Sequence, residues 1–289
     1  MKTKILKSLV VTLLFSFILL TSACQIENLG SYNRGHNFYL RNESELVNKI
    51  EVDWECGDVI INFVDGSFDE GIEVLTVTHF HQHETISKIE NNTLKIYYCS
   101  HKIHIGSLGE KWIEINIPKN LTSLKTIEVD NTSGTVEIND SVVDKLNVDM
   151  TSGELKIANS VINELDVDAT SADIKINDSN INEINIENVS GKINAEGTFT
   201  EIDIETVSGN VNITDSVCPR IINLEAVSSN TIIAIPDNEG FEVELDSVSG
   251  TLEIDFEVYV GNTWVYKDGT NKFDFDVVSG DITINKKYN

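Results

Sequence analysis

One bend recurs along this chain at nearly constant spacing. "NVDMTSGELKI", "DVDATSADIKI" and "NIENVSGKINA" each wedge a Thr-Ser or Val-Ser bend between two alternating apolar runs. Aligned on the bend serine, the series is Ser133, Ser152, Ser171, Ser190, Ser208, Ser228, Ser249 and Ser279, with intervals of 19, 19, 19, 18, 20, 21 and 30. A fixed period in this range marks a solenoid rather than a domain with one closed core. Six and four residues before each serine the side chain is apolar, as in Ile127/Val129, Leu165/Val167 and Phe273/Phe275. Three and five residues after it the same holds, as in Val136/Ile138 and Leu155/Ile157. Alternation on both sides predicts half-buried strands meeting at the bend.

A single coil of two or three short strands cannot bury its own apolar face. Stacked at about 4.8 Å per coil, each strand pairing in parallel with its equivalents above and below, the coils can. The expected fold is therefore all-β, a parallel β-helix of about 19-residue coils. Glycines such as Gly134, Gly153 and Gly191 follow the serine and permit a sharp corner, with Ala172 and Ser229 as the two replacements. The serines, placed on the inward parity, are expected to form a hydroxyl ladder, and eight stacked serines read as structural, since a catalytic serine would stand alone.

An earlier segment, "KIEVDWECGDVII", fits the same pattern with Cys56 in the serine column. Residues 43–121 read as irregular first coils and 122–289 as the repeats. An inserted hairpin at 255–272 has its turn expected near Asp268-Gly269 and explains the 30-residue interval. Trp264, Tyr259 and Tyr266 in that insertion would contact a ligand or cover an open solenoid end.

The chain begins with a basic segment (Lys2, Lys4, Lys7), an apolar run from Leu9 to Leu20, and Thr21-Ser22-Ala23 before Cys24. This is a secretory leader over 1–23, too short in its apolar run for a permanent membrane helix. Cys24 directly after the small residues resembles the lipobox of bacterial lipoproteins, which implies cleavage before Cys24, a diacylglycerol on its thiol and an extracytoplasmic protein held at the membrane. Residues 24–42 would be a polar tether. Without the three leader lysines, 47 acids face 18 bases, a charge near −29. Nucleic acid is excluded as a partner, because its binding needs clustered Lys and Arg; cations and cationic peptides are favoured. Three cysteines remain after Cys24, so at most one disulfide forms, and Cys56–Cys99 is the expected pair, with free thiols throughout as the alternative.

Three residues before the bend, every repeat carries a carboxylate: Asp130, Asp149, Asp168, Glu187, Glu205, Glu225, Asp246 and Asp276, with Asp53 in the earlier coil. Stacked neighbours roughly 5 Å apart repel by about 1 kcal/mol even in water. Five residues before the bend, acid and amide alternate instead, from Glu128 and Asn147 to Asp203 and Asn223, which relieves repulsion. The track could bind Ca²⁺ through oxygen ligands from successive coils, attract cationic peptides, or serve as a solvated face that keeps a parallel sheet soluble.

Five of the six histidines lie between 79 and 104. His79, His81 and His83 share one face if extended, and His101 and His104 follow Cys99. Imidazole and thiolate suit Zn²⁺, although alternate residues on one strand stand nearly 7 Å apart, far for a single ion without a bend. The position before the bend serine changes from Thr132, Thr151 and Thr170 to Val189, Val207 and Val227, either an apolar stripe beside the acids or corner packing.

The exported leader, "GDVII", "INIPKNLTSLKTIEVDNTSGTVEI" and "VVSGDITI" together resemble the bacterial family labelled "putative adhesin", or domain of unknown function 4097, over roughly residues 45–286. The resemblance implies a right-handed parallel β-helix at a cell surface, brings no catalytic motif, and includes relatives tied to envelope-stress and antimicrobial-peptide responses. Three functions follow as candidates. The first is a non-enzymatic, lipid-anchored surface protein that meets an envelope protein, glycan or cationic peptide. The second is a divalent-cation-binding or metal-sensing lipoprotein. The third, a carbohydrate-active enzyme, is disfavoured by evenly spread acids and only three arginines, Arg34, Arg41 and Arg220.

Overall fold

The computed structural model describes residues 33–34, 37–40, 47–66, 72–78, 83–100 and 111–288. Among them the chain forms 21 strands in one continuous sheet system and no helix. The first eight are β1 (Asn33–Arg34), β2 (Asn37–Leu40), β3 (Lys49–Trp54), β4 (Asp58–Val64), β5 (Ile72–Thr78), β6 (His83–Glu90), β7 (Thr93–Ser100) and β8 (Lys111–Pro118). The middle holds β9 (Thr126–Asn139), β10 (Val142–Ala158), β11 (Val161–Ser190), β12 (Ile193–Ser208), β13 (Val211–Asp215), β14 (Ile221–Ser228) and β15 (Thr231–Ile235). The end comprises β16 (Gly240–Ser249), β17 (Leu252–Ile254), β18 (Tyr259–Val260), β19 (Trp264–Lys267), β20 (Asn271–Ser279) and β21 (Ile282–Lys286).

The coils stack in parallel with the register the repeat requires. Leu146 lies beside Ile127 on one side and Leu165 on the other, and Ser152 beside Ser133 and Ser171. The paired apolar columns form one elongated core; Val129, Leu146, Val167, Ile174, Ile204 and Leu224 are all at most 2% exposed. The protein is a β-solenoid, not a closed barrel.

Each central coil has a second corner that the bend series does not announce. Asp140, Asn159 and Asp178, spaced 19 apart, take left-handed backbone with φ of 57°, 52° and 49°. Asn and Asp tolerate that conformation better than other side chains bearing a Cβ. A short third side follows, opened by Ser141, Ser160 and Ser179, all nearly fully buried. Ser160 Oγ accepts the Ser141 N–H at 3.1 Å and donates to the Ala158 carbonyl at 2.9 Å. Ser179 repeats both bonds with Ser160 and Asn177.

The inward serine ladder therefore exists, but at this corner. The bend serines, expected inward, stand half-exposed or exposed instead. The inward position at their corner is two residues earlier, where Asn131, Met150, Ala169, Asn188, Thr206 and Ala226 are buried. Chain reversal at the glycine shifts the parity by one. Several bend hydroxyls still serve corner carbonyls of the preceding coil, as Ser152 Oγ does for Thr132 O at 3.3 Å.

Both ends depart from simple serial stacking. β3 and β4 pair directly with β9, although β5 to β8 intervene in sequence. On their other side lie β7 and β8, so the first coil in sequence is second in space. Antiparallel β5 and β6 then cover β8 and β7, with β2 and β1 outside them. At the far end β14 and β15 pair with β20 and β21, which in turn pair with β16 and β17. The last coil in sequence is thus slipped between two earlier ones.

The insertion forms a hairpin, β18 against β19, with β19 also antiparallel to β16 over Gly240–Val243. Its turn lies at Gly261–Thr263, where the Gly261 N–H bonds Thr263 O at 3.0 Å. The expected Asp268-Gly269 turn forms as well, with Gly269 at φ +66°, but it leads from β19 into β20. Tyr266 is buried here and packs on Phe241 and Phe256 at ring distances of 5.3 and 4.8 Å, so it covers the solenoid end with Trp264 partly buried against the core, whereas Tyr259 is 77% exposed.

Candidate functional site

The outward face of the long side carries the carboxylate track, and the register makes it continuous. Asp53, Asp130, Asp149 and Asp168 sit level in successive strands. Glu187, Glu205, Glu225 and Asp276 continue the column, and Asp246 closes it on β16. Neighbours are one strand spacing apart, about 4.8 Å between backbones.

That crowding shows in the acidities. The Asp149 carboxyl is pushed up to about 6, first by the body of the protein that shields it, then by Asp168, Asp130 and Glu128. Its side chain is nevertheless open to solvent at the rim. Protonated Asp149 donates to Asp168, which keeps that neighbour's own upward shift smaller. Asp53, Asp130, Glu187, Glu225 and Asp276 are all raised as well, burial first in each case.

The column two residues earlier resolves the same problem. Asn147 Nδ2 donates to Glu128 at 3.4 Å, Asn185 to Asp166 at 2.8 Å, and Asn223 to Asp203 at 3.2 Å. Each amide thus neutralises part of the carboxylate in the coil before it. Lys49 adds ion pairs to Glu51 and Glu128, and Lys145 to Glu164 and Asp166. Among the described residues, the ion pairs on this side fall in this column and its flank, and none includes Asp149, Asp168 or Glu187.

On the other side of the track, Val189, Val207, Val227 and Val278 are half-exposed and Val248 is 60% exposed. The C-terminal half therefore carries an apolar stripe beside the acids, and the N-terminal half a threonine one.

Other expected groups fare differently. His79, His81, His101 and His104 lie outside the described residues; His83 opens β6, its side chain outside them. Among the described residues no three His, Cys, Asp or Glu side chains group as metal ligands. Cys56 carries a free thiol, so the expected bridge to Cys99 is not made. The side chain of Cys99 lies outside the described residues. Cys218 is also free, its thiol pushed up to about 12 by burial.

Sequence reasoning missed two features. Two residues after the bend, Asp58, Asp173 and Asp281 each accept the backbone N–H of an adjacent coil at 2.8–3.0 Å. The recurrence of Asp and Asn at that position was the available signal. Lys111, 5% exposed, lies over the Trp54 ring at 4.3 Å, and burial lowers its pKa to about 7. Nothing in its local sequence marks it.

An elongated β-solenoid with one acidic outward face is the class this geometry defines. The chain belongs to the Toastrack family, DUF4097, which matches residues 47–285. A solved "putative adhesin" from Bacteroides fragilis NCTC 9343 is 12% identical, with 90% of this chain and 100% of that one covered at a TM-score of 0.51, and shares the fold. A "putative cell adhesion protein" from Clostridium sporogenes ATCC 15579 is 13% identical over 89% and 100% of the two chains, with a TM-score of 0.31. A "putative adhesin" from Parabacteroides distasonis ATCC 8503 is 10% identical over 88% and 97%, with a TM-score of 0.34. No curated protein matches the chain.

Proposed function

We propose that this protein is a lipid-anchored, extracytoplasmic β-solenoid that acts by binding rather than catalysis, meeting its envelope partner through the acidic outward face. The observation that carries this reading is the unbroken, in-register carboxylate column. A face kept only for solubility has no need to hold like charges level on successive strands, where each pair is destabilising. The anchor rests on Cys24 after Thr21-Ser22-Ala23; no helix among the described residues is long and apolar enough to cross a membrane. The name "putative adhesin" of the Bacteroides fragilis relative is in keeping with a role at a cell surface.

The test compares wild type with Asp149→Asn/Asp168→Asn/Glu187→Asn and with Cys24→Ser. Wild type is expected to incorporate alkynyl palmitate and to hold to isolated envelopes. Cys24→Ser should lose the label, and the triple variant should lose envelope binding at an unchanged fold. Undiminished binding by the triple variant overturns the acidic face as the binding surface.

A second reading, divalent-cation binding, is favoured by Asp149 and Asp168, two carboxyls held level on adjacent strands, with Asp149 pushed up to about 6 by burial and then by its acidic neighbours. Calcium bound between them would relieve that repulsion. Thermal unfolding in chelator and in calcium decides it: stabilisation by calcium that disappears in the triple variant is the expected sign, and no shift discards it. The same melt in zinc tests the histidines.

A further inference from the structure

The terminal coil is built like the others but left half covered. In the repeats below it, the residues four before, two before, three after and five after the bend serine face inward and are almost all buried. In the coil of β16 and β17 the same four positions are Leu245, Ser247, Leu252 and Ile254, and every one is only partly buried. Ser247 Oγ is out of water and has no hydrogen-bond partner. The pairing of the hairpin strand β19 with β16 ends at Val243, so beyond it the outer edges of β16 and of β17 pair with no strand among the described residues, while their inner edges pair with β20 and β21. At the other pole the end coil is closed: antiparallel β5 and β6 lie over it, and Leu94, Ile96, Ile113 and Ile115 are fully buried.

Unpaired edges of this length invite another strand. Three candidates present themselves, and charge decides among them. Two copies meeting edge to edge would set Glu244, Asp246 and Glu253 against the same carboxylates, a like-charge pairing that opposes association. End-to-end stacking in a single direction is closed off, since β5 and β6 already occupy the opposite pole. A strand with positive outward residues meets neither obstacle. Its apolar side would complete the cover of Leu245, Leu252 and Ile254. Its cations would lie level with Glu244 and Asp246, for which no ion pair is formed within the described residues.

We propose that the free edge of β16 and β17 takes up an extended, lysine- or arginine-rich strand of a partner protein by strand addition to the sheet. Main-chain hydrogen bonds supply the affinity and the alternation of side chains supplies the selection. This builds on the reading of a protein that binds through its acids, and it adds where along the solenoid a strand-like partner docks.

The probe is a heptapeptide of alternating lysine and valine, with its glutamate–valine counterpart as control, on the full-length protein in non-ionic detergent. Hydrogen exchange is expected to slow on peptide addition at residues 244–254 and nowhere else along the track. Glu244→Lys/Asp246→Lys should weaken binding at least about tenfold, Glu244→Gln/Asp246→Asn less, and Asp65→Lys/Glu196→Lys, an equal change in net charge at exposed acids away from the track, hardly at all. Melting curves of all variants check that each is folded. Equal losses at the two sites, or protection spread along the track, overturn the edge site and leave the acidic-face reading standing. Protection of 244–254 without peptide, together with dimers in sedimentation, replaces the partner with a second copy. Absence of any protection at the edge also overturns the proposal.

Discussion

At Gly153 two constraints meet on one residue. Its φ of +123° is a conformation that residues with a Cβ rarely adopt, and an added Cβ would lie 1.9 Å from the carbonyl oxygen of Gly134 in the adjacent coil. The same oxygen-on-Cα approach recurs at Gly134, Gly191, Gly209 and Gly280. Relief at one corner would shift the coil above, whose backbone rests on it. Gly153→Ala is therefore expected to cost about 1–3 kcal/mol for the backbone conformation alone, read as a lowered urea midpoint. Ala172→Gly in the neighbouring coil should be near neutral or mildly destabilising, since that corner avoids positive φ. A neutral Gly153→Ala would mean the corners are pliable. Inward side chains make a second test: Val167, 2% exposed, lies between Val148 and Ile186 in its column, and Val167→Asp leaves an unpaired charge there. Destabilisation of roughly 3 kcal/mol or more is expected, with the loss of protection reaching both adjacent coils. The glycine and apolar columns were legible because each is a rule repeated in every coil. Lys111 on Trp54 was not, because the contact depends on where the end coil folds back and has no repeat to announce it.

The carboxylate track behaves as an element, and its prediction is a pH dependence. The folded-state pKa values of Asp53, Asp130, Asp149, Asp168, Glu187, Glu225 and Asp276 are raised, that of Asp149 to about 6, and buried Asp215 is likewise raised to about 6 by burial. Between an unfolded aspartate's 3.8 and 6, the folded protein binds more protons than the unfolded chain, so stability falls as pH rises through that window. Lys111, lowered to about 7, acts oppositely above that value: there the unfolded chain holds the proton, and stability climbs with pH. A shallow minimum of melting temperature near neutrality is expected, with the acid limb flattened in Asp149→Asn/Asp168→Asn/Glu187→Asn. That variant should also melt higher than wild type at pH 7 in chelator. A lower melting temperature would show that these acids have stabilising partners. The track itself was readable from the repeat, as was the amide relief beside it, since in-register stacking turns sequence columns into spatial ones. The parity of the bend serines was misread because a glycine at positive φ breaks the period-two alternation on which that reading rested.

At the scale of the molecule, each end of the solenoid holds a coil laid down out of order. Serial stacking would send the chain from β15 directly onto its neighbour β16, and four residues, Pro236 to Glu239, join them. Those residues instead span two coil heights of about 4.8 Å each, leaving room into which β20 and β21 are inserted. The repeat could not reveal this, because equivalent columns fit one another in any order: Val243/Leu245 match Ile222/Leu224 as well as they match Phe273/Phe275. Side-chain size makes the choice. Phe241 stacks on Phe273 at 5.1 Å and meets Phe256 at the same distance edge-on, so the aromatic plug of the terminal coil rests on an aromatic layer that only β20 provides. Ile222, in the coil beneath, is smaller and would leave part of that plug without contact atoms. Removal of residues 271–289 is therefore expected to cost more than one coil. β16 and β17 can then dock only on β14 and β15, loosely, and limited proteolysis should open the chain between 236 and 270 while 126–208 stay resistant. Full resistance across 236–270 would mean that matched apolar columns alone suffice to reseat the terminal coil, and that the order of coils is set by chain connection rather than by the fit of the aromatic layer.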